Sequence, residues 1–225
     1  TFAMLGLKDG VPAVMLVAER HVEPYEPKSL LPVDVNSWKH GVVWALVKNG
    51  RISSIGRERP DLGRVERWYS KVVRLERLLG RLERLGLDDG NLRREAKRTK
   101  SKMYRYLRGY SQWLANKIVR KALKHKSKVV IDGALEESWR ELLEEGLSRR
   151  EAKIHIAGVR RLIKILETQL KWYGVPYEFK RLPSRACPEC EIKMEELPGR
   201  RVRCPRCGLE EDRDKIPILW ALKIA

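Results

Sequence analysis

The chain has 225 residues and a mass of 26.2 kDa, with 48 Lys+Arg against 30 Asp+Glu, a formal net charge of +18 and a pI near 10.0. That length holds one or two domains and buries a core without disulfide staples. No apolar run approaches the ~18 residues of a membrane span and no signal-peptide pattern opens the chain, so a cytoplasmic or nucleoid-associated protein with no membrane partner is expected. The charge calls for a polyanion, most simply nucleic acid, against the blander alternative of a solvated basic surface.

The chain opens at Thr1, and its first residues read as the tail of a preceding domain. The alternating apolar run Val11 to Val17, followed by Pro24, Pro27 and Pro32, predicts a strand and an extended linker over residues 1–30. Leu31 to Asn36 predicts a short apolar strand that ends in an acid, Asp34. Gly41 to Val47 and Arg51 to Ile55 predict two more strands, joined at Lys48-Asn49-Gly50 by a hairpin turn.

The charge is local. Arg64 to Lys128 holds 21 Lys+Arg and 6 Asp+Glu, whereas the other 160 residues hold 27 and 24. Val65, Trp68, Val72, Leu75, Leu78, Leu79, Leu82 and Leu85 recur at helical spacing, and Asp88-Asp89-Gly90 reads as a turn. A second helix is predicted from about Leu92 to Lys126, with Tyr104, Leu107, Trp113, Leu114, Ile118 and Leu123 on its apolar face. Along it Arg93, Arg94, Lys97, Arg98, Lys100, Lys102, Arg105 and Arg108 face a single acid, Glu95, so local ion pairing cannot neutralise them. They are the candidate nucleic-acid-binding residues. Tyr104, Tyr106 and Tyr110 could stack on bases, but packing in a core is the commoner use.

Lys128 to Gly133 repeats the theme of an apolar strand ending in an acid, here Asp132. A helix from about Leu147 to Tyr173 and a strand from Val175 to Phe179 follow. Strands interspersed with helices make this an α/β or mixed layered fold. An Asp at the end of a buried strand serves as a turn cap or a metal ligand, and two of them prompt a search for a third.

All four cysteines lie in Cys187-Pro-Glu-Cys190 and Cys204-Pro-Arg-Cys207-Gly208. Two such knuckles 13 residues apart match a zinc ribbon, and four thiolates leave no open position for water, so the zinc is structural. Pro198-Gly199 reads as the tip of the intervening hairpin. Arg200, Arg201 and Arg203 beyond it either present cations to a nucleic acid or are merely solvated.

The string CPxC…CPxCGxxxDRD, followed by the apolar run Ile216 to Ile224, resembles the C-terminal end of the TnpB/OrfB-type transposon-encoded nucleases, relatives of the type V CRISPR effectors. Pro32-Val-Asp34-Val-Asn36 is similar to the first RuvC motif of that family, Val129 to Asp132 to the second, and Leu166 to Tyr177 to the helix-to-strand passage before the ribbon. Asp214 falls at the third motif. The resemblance implies an RNase H-like (RuvC) mixed sheet flanked by helices, with the zinc ribbon inserted. It divides the chain into a remnant of an N-terminal domain (1–30), a nuclease core (31–183) with a basic helical segment (64–126), the ribbon (184–210) and a last helix (211–225). It implies Asp34, Asp132 and Asp214 as catalytic residues holding Mg²⁺ or Mn²⁺, the four cysteines holding Zn²⁺, DNA as substrate and, in the family, a guide RNA. Two divalent ions among three carboxylates activate a water and stabilise the leaving oxygen of a phosphodiester. The chain departs from the family pattern at Asp132, where a Glu is usual, at Glu191, where a Gly is usual, and at Ile216-Pro217-Ile218. Those departures also fit a diverged nucleic-acid-binding protein of the same fold that cuts weakly or not at all.

Overall fold

The structure is a computed structural model that describes residues 2–8, 11–17, 21–133 and 135–224. Among these, the central sheet has five strands: β3 (Ser29–Val35), β4 (Val42–Lys48), β5 (Arg51–Glu58), β6 (Ser127–Asp132) and β7 (Tyr177–Phe179). Their order is β5-β4-β3-β6-β7. β4 pairs antiparallel with β3 and β5, while β3–β6 and β6–β7 are parallel. The strand alternation expected at Val11 to Val17 belongs to a separate hairpin, β1 (Phe2–Lys8) with β2 (Val11–Val17), so one strand of that unit escaped the sequence reading.

β3 and β6 are buried on both faces, which is why they read as continuous apolar runs. Pro32 sits inside β3, where it cannot donate to β4, and the β3–β4 ladder skips from Leu30 to Val33. The β4–β5 turn places Asn49 at φ +50° and Gly50 at φ +69°, the left-handed pair that the Asn-Gly dipeptide supplies.

One face of the sheet is covered by α2 (Gly90–His125) and α4 (Arg149–Trp172), whose Leu114, Ile118, Val119, Val159, Leu162 and Leu166 pack on Leu31, Val33, Val129 and Ile131. On the opposite face α5 (Ile216–Lys223) lays Ile218 against Val43 and Ala45, and Ala221 against Val130. Pro217 stands in the first turn of α5, where its missing N–H costs nothing. α4 begins at a capping box of Ser148 and Glu151.

At 1.5 Å per residue α2 is about 54 Å long, against about 20 Å for β6. Its C-terminal half lies on the sheet, and its N-terminal half pairs with α1 (Leu62–Arg84). Asp61 and Asp89 cap the two helices. Tyr106 and Tyr110 pack against the core as expected. Tyr104, Trp113, Leu78 and Leu85, which the periodicity assigns to apolar faces, are exposed. A ten-residue helix, α3 (Leu135–Glu144), occupies what read as a connector after Asp132.

Trp38 is fully buried and meets Tyr110 edge-on at 5.4 Å between ring centroids. It reaches α4 through Gly158, where an added Cβ would lie 2.1 Å from the indole Nε1. Overpacking of this kind costs ~1–3 kcal/mol. Gly158→Ala is therefore expected to lower the thermal midpoint by several degrees; an unchanged melting curve would show that α4 does not rest on this indole.

Candidate active site

The parallel β3–β6 ladder sets Asp34 directly opposite Asp132, and paired residues of a parallel ladder point to the same face. Both acids are buried. Asp34 Oδ2 accepts from Asn36 Nδ2 at 2.6 Å, and Asp132 Oδ2 accepts the backbone N–H of Leu182 at 3.0 Å. Asp214 lies in the 3₁₀ turn Arg213–Lys215 that leads into α5, and its N–H is capped by Asp212 Oδ1 at 2.9 Å. It is 2% exposed. Burial, then Asp214, then Asp132 push the Asp34 carboxyl well above its ordinary range, against weaker pulls from Asn36 and Arg200. The three predicted acids are thus brought into one electrostatic neighbourhood.

What neutralises them was not legible in the sequence. Arg200, at the tip of the hairpin formed by β8 (Glu195–Leu197) and β9 (Arg201–Arg203), turns inward. Its Nη2 donates to Asp214 Oδ1 at 2.7 Å, and its Nη1 lies 3.3 Å from Glu141 and 3.6 Å from Glu145. Arg57 of β5 lies 3.1 Å from Asp214 Oδ2 and 2.6 Å from Asp212. Glu141 of α3, itself buried, also accepts from Arg213 and lies 3.5 Å from Arg185. His40 bridges to Glu145 at 3.0 Å and to Ser37 at 3.2 Å; burial, then Arg200, holds its pKa below the ordinary value. Arg200, with its side chain 21% exposed, and Arg57, 36% exposed, are the counter-charges of the buried Asp214.

The oxygen donors are of the kind that a hard divalent cation takes. Of the three carboxylates, Asp214 has its two oxygens engaged by Arg57 and Arg200. The oxygens of the three acids do not gather as tightly as the cysteines do. Among the described residues, Cys187, Cys190, Cys204 and Cys207 form the one group of ligand atoms that all lie within 4.8 Å of one another.

The two knuckles are alike in their backbone. Glu191 N–H and Gly208 N–H return to the carbonyls of Cys187 and Cys204 at 2.8 and 3.0 Å. Cys187 and Cys204 N–H donate to Ile192 and Leu209 at 2.9 and 2.8 Å. Gly208 takes φ +74° and Glu191 takes φ +60°, so the Glu adopts the conformation that the family's Gly would supply. The Glu191 carboxylate is held 2.7 Å from Lys223 Nζ of α5. Backbone N–H groups of Cys207 and Arg206 bring the Cys204 thiol down to about 6, and desolvation pushes Cys190 up to about 12.

The eight cations of α2 (Arg93, Arg94, Lys97, Arg98, Lys100, Lys102, Arg105 and Arg108) are all exposed. Arg93 is engaged by Glu83 and Asp88. Arg94, Lys97, Arg98, Lys102 and Arg105 line a shared groove. Of the ribbon-tip cations, Arg201 pairs with Glu210 at 2.9 Å, Arg203 is exposed and Arg200 faces the acids.

The folded pKa of Asp34 lies above its reference value of 3.8. The stability linked to its protonation is complete below that value and is lost as pH rises through the raised pKa. Without divalent ions, Asp34→Asn is therefore expected to be more stable than the wild type at pH 7 in urea denaturation. A less stable Asn variant would count against a repulsive cluster.

Residues 160–216 match the family model of the TNB domain of Cas12f1-like proteins. No curated protein matches the chain in sequence. A cryo-EM structure of Cas12f1 in complex with sgRNA and target DNA is similar in fold, with a TM-score of 0.56 and 15% identity over 89% of this chain. This chain spans 39% of that one. The α/β fold expected from the sequence, a mixed sheet flanked by helices, is the one observed, and the four-cysteine cluster is compatible with its inserted zinc ribbon. The chain is thus similar to the Cas12f1-like TNB domain over residues 160–216 and to Cas12f1 in its fold.

Proposed function

We propose that this chain is the nuclease core of an effector that cleaves DNA phosphodiesters. The observation that carries the reading is the approach of three acids from distant parts of the chain, two on one rung of the β3–β6 ladder and one in the turn before α5. Asp34, Asp132 and Asp214 would hold Mg²⁺ or Mn²⁺, which supply an activated water and stabilise the leaving oxygen. Asn36 orients Asp34, and the Leu182 N–H fixes Asp132. Arg57 and Arg200 hold Asp214 in place and offset part of the charge of the metal-free cluster.

Cys187, Cys190, Cys204 and Cys207 hold a structural Zn²⁺ in this reading, and the hairpin between the knuckles carries Arg200 to the acids. The exposed face of α2 takes the phosphate backbone of a nucleic acid. The solved Cas12f1 structure contains sgRNA and target DNA, and the same two partners, a guide RNA and DNA, are assigned here. A second reading, binding without cleavage, is favoured by the shorter reach of Asp132 and by the two guanidinium groups on Asp214.

Incubation with single-stranded and duplex DNA in Mg²⁺ or Mn²⁺, beside Asp34→Ala, separates the two. Cleavage by the wild type that the variant lacks is expected; equal products from both would remove the catalytic reading. Metal analysis is expected to return one zinc per chain and none after Cys187→Ser with Cys204→Ser. Arg98→Gln with Arg105→Gln is expected to flatten the slope of log affinity against log salt by about 2, and an unchanged slope would take α2 off the nucleic-acid path.

A further inference from the structure

The rung that pairs Asp34 with Asp132 continues outward through β4 to β5. Asp34 pairs with Val43 and Val43 pairs with Arg57, so Asp132, Asp34, Val43 and Arg57 share one face of the sheet. It is the face that α5 covers, with Ile218 on Val43. The sheet itself therefore delivers Arg57 to the acids, from two strands or about 10 Å away. Nothing in the charged string Arg57-Glu58-Arg59 announces this, because the partner acids lie far along the chain.

Arg57 and Arg200 grip Asp214 differently. Arg200 is also held by Glu141 and Glu145, and its carbonyl accepts the Arg213 N–H. Among the described residues, Arg57 pairs only with Asp212 at 2.6 Å and Asp214 at 3.1 Å, both through Nη2. The other oxygen of Asp212 stays on the Asp214 N–H. Arg57 can therefore leave Asp214 while keeping Asp212, and its Nε and Nη1 remain for another oxyanion. A guanidinium resting on a carboxylate oxygen repels a second cation arriving there. Its planar fork suits a phosphate as well as a carboxylate.

We propose that Arg57 is a positioning residue that couples ion binding to strand binding. While it rests on Asp214 it holds a divalent cation off, and a phosphate of an arriving strand draws it away and opens Asp214 to the ion. A ligand shifts such an equilibrium by its differential affinity for the two positions. The coupling rests on the reading of the three acids as an ion site, and of DNA as the strand, given under Proposed function.

The test titrates the full chain with Mn²⁺ and follows the free ion by electron paramagnetic resonance. Arg57→Gln is expected to bind Mn²⁺ about tenfold more tightly than the wild type, a usual size for coupling between sites. Arg57→Lys, which keeps the charge, is expected to stay near the wild type. A 12-nucleotide single strand of phosphorothioate DNA, which resists cleavage, is expected to tighten wild-type Mn²⁺ binding by a similar factor and to leave Arg57→Gln nearly unchanged. Asp34→Ala, with and without the strand, measures the ions held elsewhere. Arg57→Gln is also expected to melt below the wild type without Mn²⁺ and to gain more from the ion than the wild type does. Equal or weaker Mn²⁺ binding by Arg57→Gln would overturn the competition. A strand that leaves the wild type unmoved, or tightens both proteins alike, would overturn the release. Binding by Asp34→Ala equal to that of the wild type and of Arg57→Gln would instead remove the ion site itself, so the two failures are told apart by different variants.

Discussion

The parallel pairing of β3 with β6 is the constraint on which the rest of the molecule depends. Parallel neighbours cannot be joined by a tight turn, so the chain must travel from Val35 to Ser127 before the second strand can be laid down. That excursion contains β4 and β5, which extend the sheet outward, and the α1–α2 pair, which carries most of the charge. Ser29 Oγ and Lys28 N–H both donate at the end of α2, to His125 O at 2.9 Å and Lys126 O at 2.7 Å, so the returning helix is tied to the start of β3. The register that follows puts the two acids on one rung.

Bringing acids together is unfavourable unless something offsets their repulsion. Here the offset comes from two distant places, the outer strand β5 and the tip of the ribbon hairpin. The cysteine cluster therefore acts on the acids at one remove. It sets the knuckles, the knuckles set the hairpin, and Arg213 N–H to Arg200 O at 2.8 Å locks the tip to the turn that carries Asp214. A ribbon that looks like an appendage in the sequence is part of the electrostatic closure of the core.

The legible parts are those in which a local rule and the tertiary structure agree. The Asn-Gly turn, the acid-ended strands, the paired CxxC knuckles and the position of the proline in α5 each state their geometry within a few residues. The illegible parts depend on partners far away. Glu141 lies on a helix whose pattern is too short to stand out, and its importance comes from arginines 44 to 72 residues distant. Arg200 and Arg203 look equivalent in the sequence, and only the left-handed turn at Gly199 and Arg200 sends the first of them inward. Trp113 matches the apolar period of α2 yet faces outward, where Lys117 lies 5.1 Å from its ring.

The unequal knuckles give the ribbon two different kinds of end. At the second, Gly208 takes the left-handed turn and Cys207 is exposed, while Cys204 is buried with Val202 and Ile216. At the first, the carboxylate of Glu191 and the Pro188 carbonyl both grip Lys223, which fastens that loop to the C-terminal helix. Loosening of the cluster would therefore be felt first at the exposed Cys207 sulfur, while the first loop stays fastened to the C-terminal helix. The residue that departs from the family pattern is, in this molecule, the hinge pin.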